Sequence, residues 1–480
     1  MRHRRLNNSA HESLAMLEPL IRSSLPRFQA LYDRAPSPAR DLLTSARGWF
    51  LTRVRYGPET SALLEELRIH ELWCASDVYF YQLSALSAVV DFARRTVPFY
   101  ASYPDAPIRT FADLRALPVL SRETLRRNTS LFLSSTVPPR SRIRAGTTGT
   151  TGANLSVAYT EELARANWAL LLRQWSWAGV SPREPRVTFF GARVVPQTRD
   201  VPPFWTHNFP ERQTLASIFH LSEKTAPHYL DFLDLHSGEV LEGFPSVLSI
   251  LADFVLARGW PIPMRVIFTS GEPLYPEARE KISRAFSARV FDSYGMTEYC
   301  GLIHQCEAGG MHLVPEFGFL EILNDCDEPV GPGEEGHFVW TGFLNRAMPL
   351  LRYRIGDRGR WQPGPPCECG RAFPLVVPTI TRESDVLRCP DGRLFSPRAL
   401  NQFLKQTASL RCCQFVHAAP GRIVIRAVPG GSRAPEEAAI LREQLQSLLG
   451  LQFRVTFEFA AEPLTRPGGK IPLILNQVHS

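Results

Sequence analysis

Apolar residues recur at roughly helical spacing through much of the first hundred residues, and the longest such run extends from Leu63 to Ala93, with Pro26, Pro36 and Pro38 as earlier breaks. A helical N-terminal segment, residues 1–100, is therefore expected to pack against the body of the chain. From about residue 110 to 380 the pattern changes to short β-prone runs alternating with stretches of helical length. The runs are Arg186–Phe190, Val240–Phe244, Arg265–Thr269 and Ala288–Phe291, separated by segments such as Ser246–Arg258 and Pro276–Phe286. This is an α/β pattern, and several of its strands end at glycine or serine, where ligands collect in such sheets. After Thr381 a smaller α+β unit is predicted: a helix near Pro397–Ser409, a strand at Arg422–Val428, a helix at Pro435–Leu449 and a strand at Phe453–Phe459. The boundary falls near residue 383, dividing a large unit, 101–382, from a small one, 383–480.

Composition narrows the class without changing this division. A chain of 480 residues with 44% hydrophobic and 21% charged content is that of a globular protein able to bury several sheets. The formal charge of +7 comes with four lysines, Lys224, Lys281, Lys405 and Lys470, so the positive charge is arginine spread along the chain. No basic run or recognition helix accompanies it, and nucleic-acid binding is not expected. The basic start, Met1-Arg2-His3-Arg4-Arg5, is followed by no continuous apolar stretch; neither a membrane span nor a signal peptide is expected, and a cytoplasmic location is. Leu14 to Tyr32 mixes apolar and polar residues at helical spacing but is interrupted by Pro19 and Pro26, and reads as packing surface. Nine cysteines, an odd number in a chain of this size, fit reduced thiols rather than a disulfide scaffold.

The candidate chemistry begins in the loop Thr147-Thr148-Gly149-Thr150-Thr151-Gly152-Ala153-Asn154, between the β-prone runs Ser141–Arg144 and Leu155–Tyr159. Glycines let backbone amides approach an anion, and threonine hydroxyls add donors, so the loop suits phosphate. Asp292-Ser293-Tyr294-Gly295-Met296-Thr297-Glu298 comes after a predicted strand and offers an aromatic face for a base, a glycine turn, a hydroxyl and a carboxylate able to hold Mg²⁺. Tyr353-Arg354-Ile355-Gly356-Asp357 places a carboxylate where two ribose hydroxyls could be met, and Arg382 could reach the same ribose or a phosphate. Lys470 rides on the glycine loop Thr465–Pro472.

Taken in order, these motifs resemble the adenylate-forming acyl-CoA ligase superfamily over residues 70–475. The similarity is to the branch of the phenylacetate-CoA ligases and capsule-biosynthesis-associated ligases, through Thr96–Tyr100, Leu117–Ser121, Pro203–Trp205, Glu242–Ser246 and Ser270-Gly271-Glu272-Pro273-Leu274. The resemblance implies a large adenylate-forming α/β domain of mixed sheets and helices with a small mobile α+β lid. It also implies a two-step reaction in which a carboxylate attacks the α-phosphate of MgATP, and a thiol, usually coenzyme A, then displaces AMP. By the same resemblance Thr147, Thr148, Gly149, Thr150, Thr151 and Gly152 would hold the β- and γ-phosphates. Gly271, Glu272 and Asp292 to Met296 would line the nucleotide, with Tyr294 on adenine. Thr297 and Glu298 would serve the α-phosphate and Mg²⁺, and Asp357 the ribose. Lys470 would bridge carboxylate and α-phosphate, withdrawn afterwards by a hinge near Arg382–Asp385. Phe190, Trp205, His207, Phe244 and Ser270 are the candidate pocket for an aryl or otherwise apolar acid. Partners would be that acid and coenzyme A or a carrier-protein thiol, with a dimer the candidate assembly; an amine acceptor or an idle nucleotide-binding homologue are the alternatives. Two positions depart from the family: Ala153 stands where a lysine is usual, and Thr381 where a glycine precedes the boundary arginine.

Cys306, His312, Cys367 and Cys369 offer three thiolates and one imidazole, a donor set for a closed structural Zn²⁺. Related ligases of this branch carry a similar set. Buried reduced thiols are the alternative.

Overall fold

The helical start of the chain is broken where its backbone chemistry requires. In the computed structural model, which describes residues 32–148, 154–191, 194–196, 199–379, 387–388, 394–395, 400, 403–404, 407, 409–419, 421–450, 453–462, 464 and 473–477, helix α1 (Ser37–Tyr56) ends at Gly57 and α2 (Pro58–His70) begins with a proline in its first turn. The periodic run expected from Leu63 to Ala93 is not one helix. It turns at Glu71–Cys74, and α3 (Ala75–Thr96) restarts with the Asp77 carboxylate accepting the Cys74 N–H at 2.9 Å. A strand β1 (Leu120–Ser121) and a short helix α4 (Arg122–Arg127) lead to the hairpin β2 (Ile143–Thr148) and β3 (Asn154–Tyr159), whose register ends at Thr148 opposite Asn154. The predicted strand-loop-strand is thus a hairpin, with Thr147 and Thr148 in its first strand. Gly149, Thr150, Thr151 and Gly152, like Arg382 and Lys470, lie outside the described residues.

Helix α5 (Glu161–Trp177) then precedes an eight-stranded sheet built from β4 (Arg186–Phe189), β5 (Trp205–Asn208), β6 (Gln213–Ala216), β7 (Val240–Gly243), β8 (Val266–Ser270), β9 (Val290–Gly295), β10 (Leu302–Gln305) and β11 (Met311–Leu313), in the order β11-β10-β9-β8-β7-β4-β6-β5. The strands from β6 through β9 are parallel, and β5, β10 and β11 join antiparallel at the two margins. Alternate side chains cover both faces. Leu241 and Ile267 pack under α6 (Ala226–Leu235), α7 (Pro245–Ala257) and α8 (Pro276–Phe286), whereas Val240, Phe268 and Phe291 meet Leu172 and Trp175 of α5.

The alternation of strand and helix stops at β9. Residues 302–378, expected as more α/β, carry strands without an intervening helix: β12 (Gly318–Leu323), β13 (Gly336–Gly342), β14 (Tyr353–Trp361) and β15 (Val376–Pro378) form a second sheet with β1. Its core is Leu320, Ile322, Phe338, Trp340 and Tyr353 against Leu86, Val89 and Val90 of α3. Beyond short strands β16 (Leu387–Arg388) and β17 (Leu394–Phe395), a four-stranded sheet runs β20-β19-β18-β21. Its strands are β18 (Leu410–Ala419), β19 (Arg422–Pro429), β20 (Arg454–Phe459) and β21 (Ile474–Asn476), with α9 (Ala434–Leu449) packed on it. The helix expected near Pro397–Ser409 lies largely outside the described residues, and β18 adds a strand to those the sequence predicts. An apolar seam joins this unit to the large sheet's helices, with Phe219 edge-on to Phe403 at 5.3 Å. Among the described residues no helix is long and apolar enough to cross a membrane.

Candidate active site and candidate metal centre

The parallel strands end level with one another. Phe189 pairs with Gly243, Gly243 with Thr269, and Thr269 with Asp292, so one line across the sheet marks its carboxyl edge. The next residues, Phe190, Phe244 and Ser270, lead into the connecting loops along that edge, where backbone groups leave the ladder and can serve a ligand, while Ser293 continues in β9 beside β10. Phe190 and Phe244 meet edge to face at 5.1 Å. Trp205 pairs with Ala216 at the same level on the far margin and stacks on Phe232 at 4.1 Å. His207 stands two residues back: it pairs with Thr214, itself opposite Val187, and its Nδ1 lies 3.1 Å from the Thr214 hydroxyl. The strand register therefore brings Phe190, Phe244, Ser270 and Trp205 to one edge and His207 away from it.

Gly271 leaves β8 with φ +86°, a conformation glycine adopts without strain. Glu272 beside it is buried and accepts the Ser246 N–H at 3.1 Å, so its carboxylate sits on the first turn of α7. Midway along β9 the Asp292 carboxyl accepts from the Thr269 hydroxyl at 2.6 Å. Burial raises its pKa to about 6 against that hydrogen bond and the Arg279 charge.

Tyr294 and Asp357, each singled out from its own motif, meet here. The phenol donates to Asp357 Oδ2 at 2.7 Å across a sequence separation of 63, with the indole of Trp340 nearly parallel to the Tyr294 ring at 6.2 Å. Burial, and then the neighbouring carboxylate, raise the pKa of the phenol, which keeps it the donor. Gly356 precedes the carboxylate at φ +104°, leaving Asp357 exposed at the strand surface. Met296 to Tyr299 form a turn closed by Tyr299 N–H to Met296 C=O at 3.1 Å, with Tyr299 left-handed at φ +53°. Thr297 is half-buried in that turn, and Glu298 is buried, its Oε1 accepting from the Tyr353 hydroxyl at 3.1 Å. The Tyr299 ring lies 5.0 Å from that of Tyr159, at the end of the threonine-glycine hairpin. The arrangement offers, on one rim, an aromatic ring, an exposed carboxylate and a buried one held beside a hydroxyl-bearing turn.

A second cluster forms at the antiparallel margin. Cys306 comes directly after β10, His312 lies in β11, and Cys367 and Cys369 come from the loop after β14; their ligand atoms lie within 4.8 Å of one another. Cys306 Sγ is 3.6 Å from Cys367 Sγ, and Cys369 Sγ is 3.3 Å from His312 Nε2. Tetrahedral Zn–S bonds of about 2.3 Å place two sulfurs roughly 3.8 Å apart, so the donors fit a Zn²⁺ with little rearrangement. His312 Nδ1 donates to the Phe373 carbonyl at 2.9 Å, which leaves Nε2 free to ligate. Burial lowers the pKa of the imidazole and favours this neutral form. Burial pushes the Cys306 thiol up to about 12; at Cys367 the same burial is outweighed by hydrogen bonds from Cys369 and Cys306, and that thiol titrates below the ordinary range. Gly310 leaves room for the group: a Cβ there would stand 2.8 Å from Cys367 Sγ.

Ion pairs brace this turn. Arg371 contacts Glu71 at 2.9 Å and Glu307 at 2.8 Å and lies 4.3 Å over the Trp177 ring, while Arg173, fully buried, grips Glu316 at 2.6 and 3.1 Å and stands over Phe373. Motif reading missed Tyr353 as the partner of Glu298, and it missed Arg173, Glu316 and Gln305. Tyr353 lies inside a motif already quoted, but the others carry no local signal.

No family model matches the chain. Over 460 residues it is 24% identical to protein CapK of Staphylococcus aureus, covering 93% of this chain and 99% of that one. Over 335 residues it is 26% identical to the phenylacetate-coenzyme A ligase of Escherichia coli (strain K12), covering 65% of this chain and 71% of the relative. Among solved structures, 2-hydroxyisobutyryl-CoA ligase in complex with 2-HIB-AMP and CoA in the thioesterification state matches with a TM-score of 0.56 at 18% identity, over 85% of this chain and 92% of that one. This last likeness is one of fold.

Proposed function

We propose that this member of the adenylate-forming superfamily, on the branch of CapK and the phenylacetate-CoA ligases, joins a carboxylic acid to AMP using ATP and passes the acyl group to a thiol, coenzyme A first among candidates. The observation that carries the reading is the meeting of Tyr294 with Asp357 beside Glu298 at the carboxyl edge of the parallel sheet. A purine can lie along the Tyr294 ring while Asp357 exchanges the phenol for ribose hydroxyls. Glu298 with Thr297 makes a hard oxygen donor set for Mg²⁺, which would neutralise phosphate charge. The turn that carries them is fixed by Tyr353 and by the left-handed Tyr299, so this charge is aimed before substrate arrives. The acid would lie against Phe190 and Phe244, with Ser270 and Trp205 along the same edge; an aryl or other apolar acid suits those walls. We assign the β,γ-phosphates to residues 147–152, a ribose or phosphate contact to Arg382, and the bridge between carboxylate and α-phosphate to Lys470, carried by residues 383–480 as a lid. Cys306, His312, Cys367 and Cys369 would hold a structural Zn²⁺, a closed site with no open position for catalysis.

A panel of aryl and aliphatic carboxylates, assayed for ATP-dependent AMP and pyrophosphate release with and without coenzyme A, tests the reading. Acid-dependent release that accelerates with coenzyme A supports it. Release unaffected by any thiol but stimulated by an amine would reassign the second half-reaction.

A further inference from the structure

The ladder between β9 and β10 pairs Gly295 with Leu302, Tyr294 with Ile303 and Ser293 with His304, and stops there. One residue further, a side chain takes over. Gln305 is buried, and its Oε1 accepts the Asp292 backbone N–H at 2.9 Å and an Arg279 N–H at 2.9 Å. Its Nε2 donates to the Gly309 carbonyl at 3.0 Å, inside the turn Cys306–Gly310 that Cys306 N–H to Gly310 C=O closes at 2.9 Å. The Asp292 carbonyl is held in turn by Gln174 Nε2 at 2.9 Å, which also reaches the Gln305 carbonyl at 3.3 Å. One amide side chain thus touches the Cys/His turn with its donor end and the first residue of the nucleotide motif with its acceptor end. An apolar residue there would strand the Asp292 N–H, which has no other partner in the strand pairing, and would release the Gly309 carbonyl of the exposed turn to water.

We propose that Gln305 is a positioning residue for the adenylating site, transmitting the set of the Cys/His turn to the backbone of Asp292 and so to Tyr294–Glu298. The proposal rests on the adenylating reading of that edge. It predicts an asymmetry between the two ends of the side chain. Gln305→Leu loses both; Gln305→Glu keeps the acceptor toward Asp292 and Arg279 and loses the donor toward Gly309. Opening the cluster from its far side with Cys367→Ala acts through the same amide, so its effect on nucleotide binding depends on Gln305 being present.

The test is AMP binding by calorimetry on the full chain, alongside ATP KM and kcat. Gln305→Leu is expected to weaken AMP binding about 10-fold and to raise ATP KM similarly while kcat changes less than about 3-fold, the size of one hydrogen bond lost from a binding geometry. Gln305→Glu, which sets a carboxylate oxygen against the Gly309 carbonyl and so breaks the link at the turn alone, should weaken AMP binding by about 3-fold, less than Gln305→Leu, and Cys367→Ala should weaken binding about 5-fold alone but under about 2-fold when added to Gln305→Leu, the non-additivity of a shared path. Parent-like AMP binding by a folded Gln305→Leu protein, or effects of the two substitutions that simply multiply, would overturn the proposal. If the parent protein binds neither AMP nor ATP, the adenylating reading fails. The link itself is then decided by hydrogen exchange at the Asp292 amide, which Gln305→Leu must accelerate and will leave unchanged if the link does not exist.

Discussion

The two margins of chemistry on the eight-stranded sheet are built on opposite plans. At the carboxyl edge of the parallel strands, groups from two strands and a turn, far apart in sequence, stand side by side without a common centre: Tyr294 and Asp357 satisfy each other, and Glu298 rests on Tyr353. At the antiparallel margin four donors from two loops and strand β11 converge within 4.8 Å and are locked from behind by the buried Arg173–Glu316 pair and the half-buried Arg371–Glu71 pair. The first arrangement packs Tyr294 and Glu298 against the core and leaves Asp357 exposed at the rim. The second is closed, with four donors gathered where one ion could be held. Damage to the first should therefore appear in turnover and damage to the second in stability.

The largest expected effect is at the braced margin. Glu316→Ala leaves the fully buried Arg173 without its carboxylate, and an uncompensated buried charge costs about 3–5 kcal/mol of folding free energy; urea unfolding reads it directly. A parent-like midpoint with collapsed turnover would break the contrast. Next comes Glu298→Gln, which keeps the shape and an acceptor for Tyr353 but removes the charge. Adenylation should fall by about 10²–10³, the loss seen when one preorganised electrostatic group is removed, with the melting temperature nearly unchanged. Asp357→Ala ranks third, with ATP KM up about 10-fold and kcat changed less, as expected where a ribose contact contributes to binding alone. Tyr294→Phe removes only the hydroxyl that Asp357 would surrender to ribose, so KM should move less than about 3-fold.

The pH dependence of stability should carry opposite signs at the two margins. Glu316, pushed up by burial but pulled further down by Arg173 and His70, has a folded pKa of about 2 against an ordinary 4.5. It contributes stability above 4.5 that is lost as pH falls from there through about 2. Asp292, raised by burial to about 6 from 3.8, binds its proton more tightly when folded. It contributes stability below 3.8 that is lost as pH rises from there through about 6. Melting curves of Asp292→Asn against the parent should therefore show the variant gaining relative stability across the window from 3.8 to 6, the smallest of these effects.

The carboxyl edge was largely legible in the sequence, because a parallel strand buried on both faces is a short apolar run ending in glycine or serine, as in Val240–Gly243 and Val266–Ser270. The motifs on it were legible as local groupings. Their meeting was not, since the Tyr294–Asp357 contact spans two sheets. The antiparallel half after β9 was misread because its strands are too short or too mixed to show a period. Leu302–Gln305 buries a histidine and a glutamine, and Met311–Leu313 is three residues long. The turn inside Leu63–Ala93 was hidden for the converse reason: α2 and α3 keep a common periodicity across it. Cysteine and histidine spacing exposed the metal-ligand candidates. The residues that brace them, Arg173 and Glu316, are 143 positions apart and become neighbours only in the fold.

The most direct test of adenylation at the strand ends is exchange of labelled pyrophosphate into ATP, measured without any thiol. Exchange that requires a carboxylate and magnesium, and that Glu298→Gln suppresses about 10²-fold or more, is the expected result. No exchange with any aryl or aliphatic acid, from a folded protein, would contradict an adenylating site at this edge.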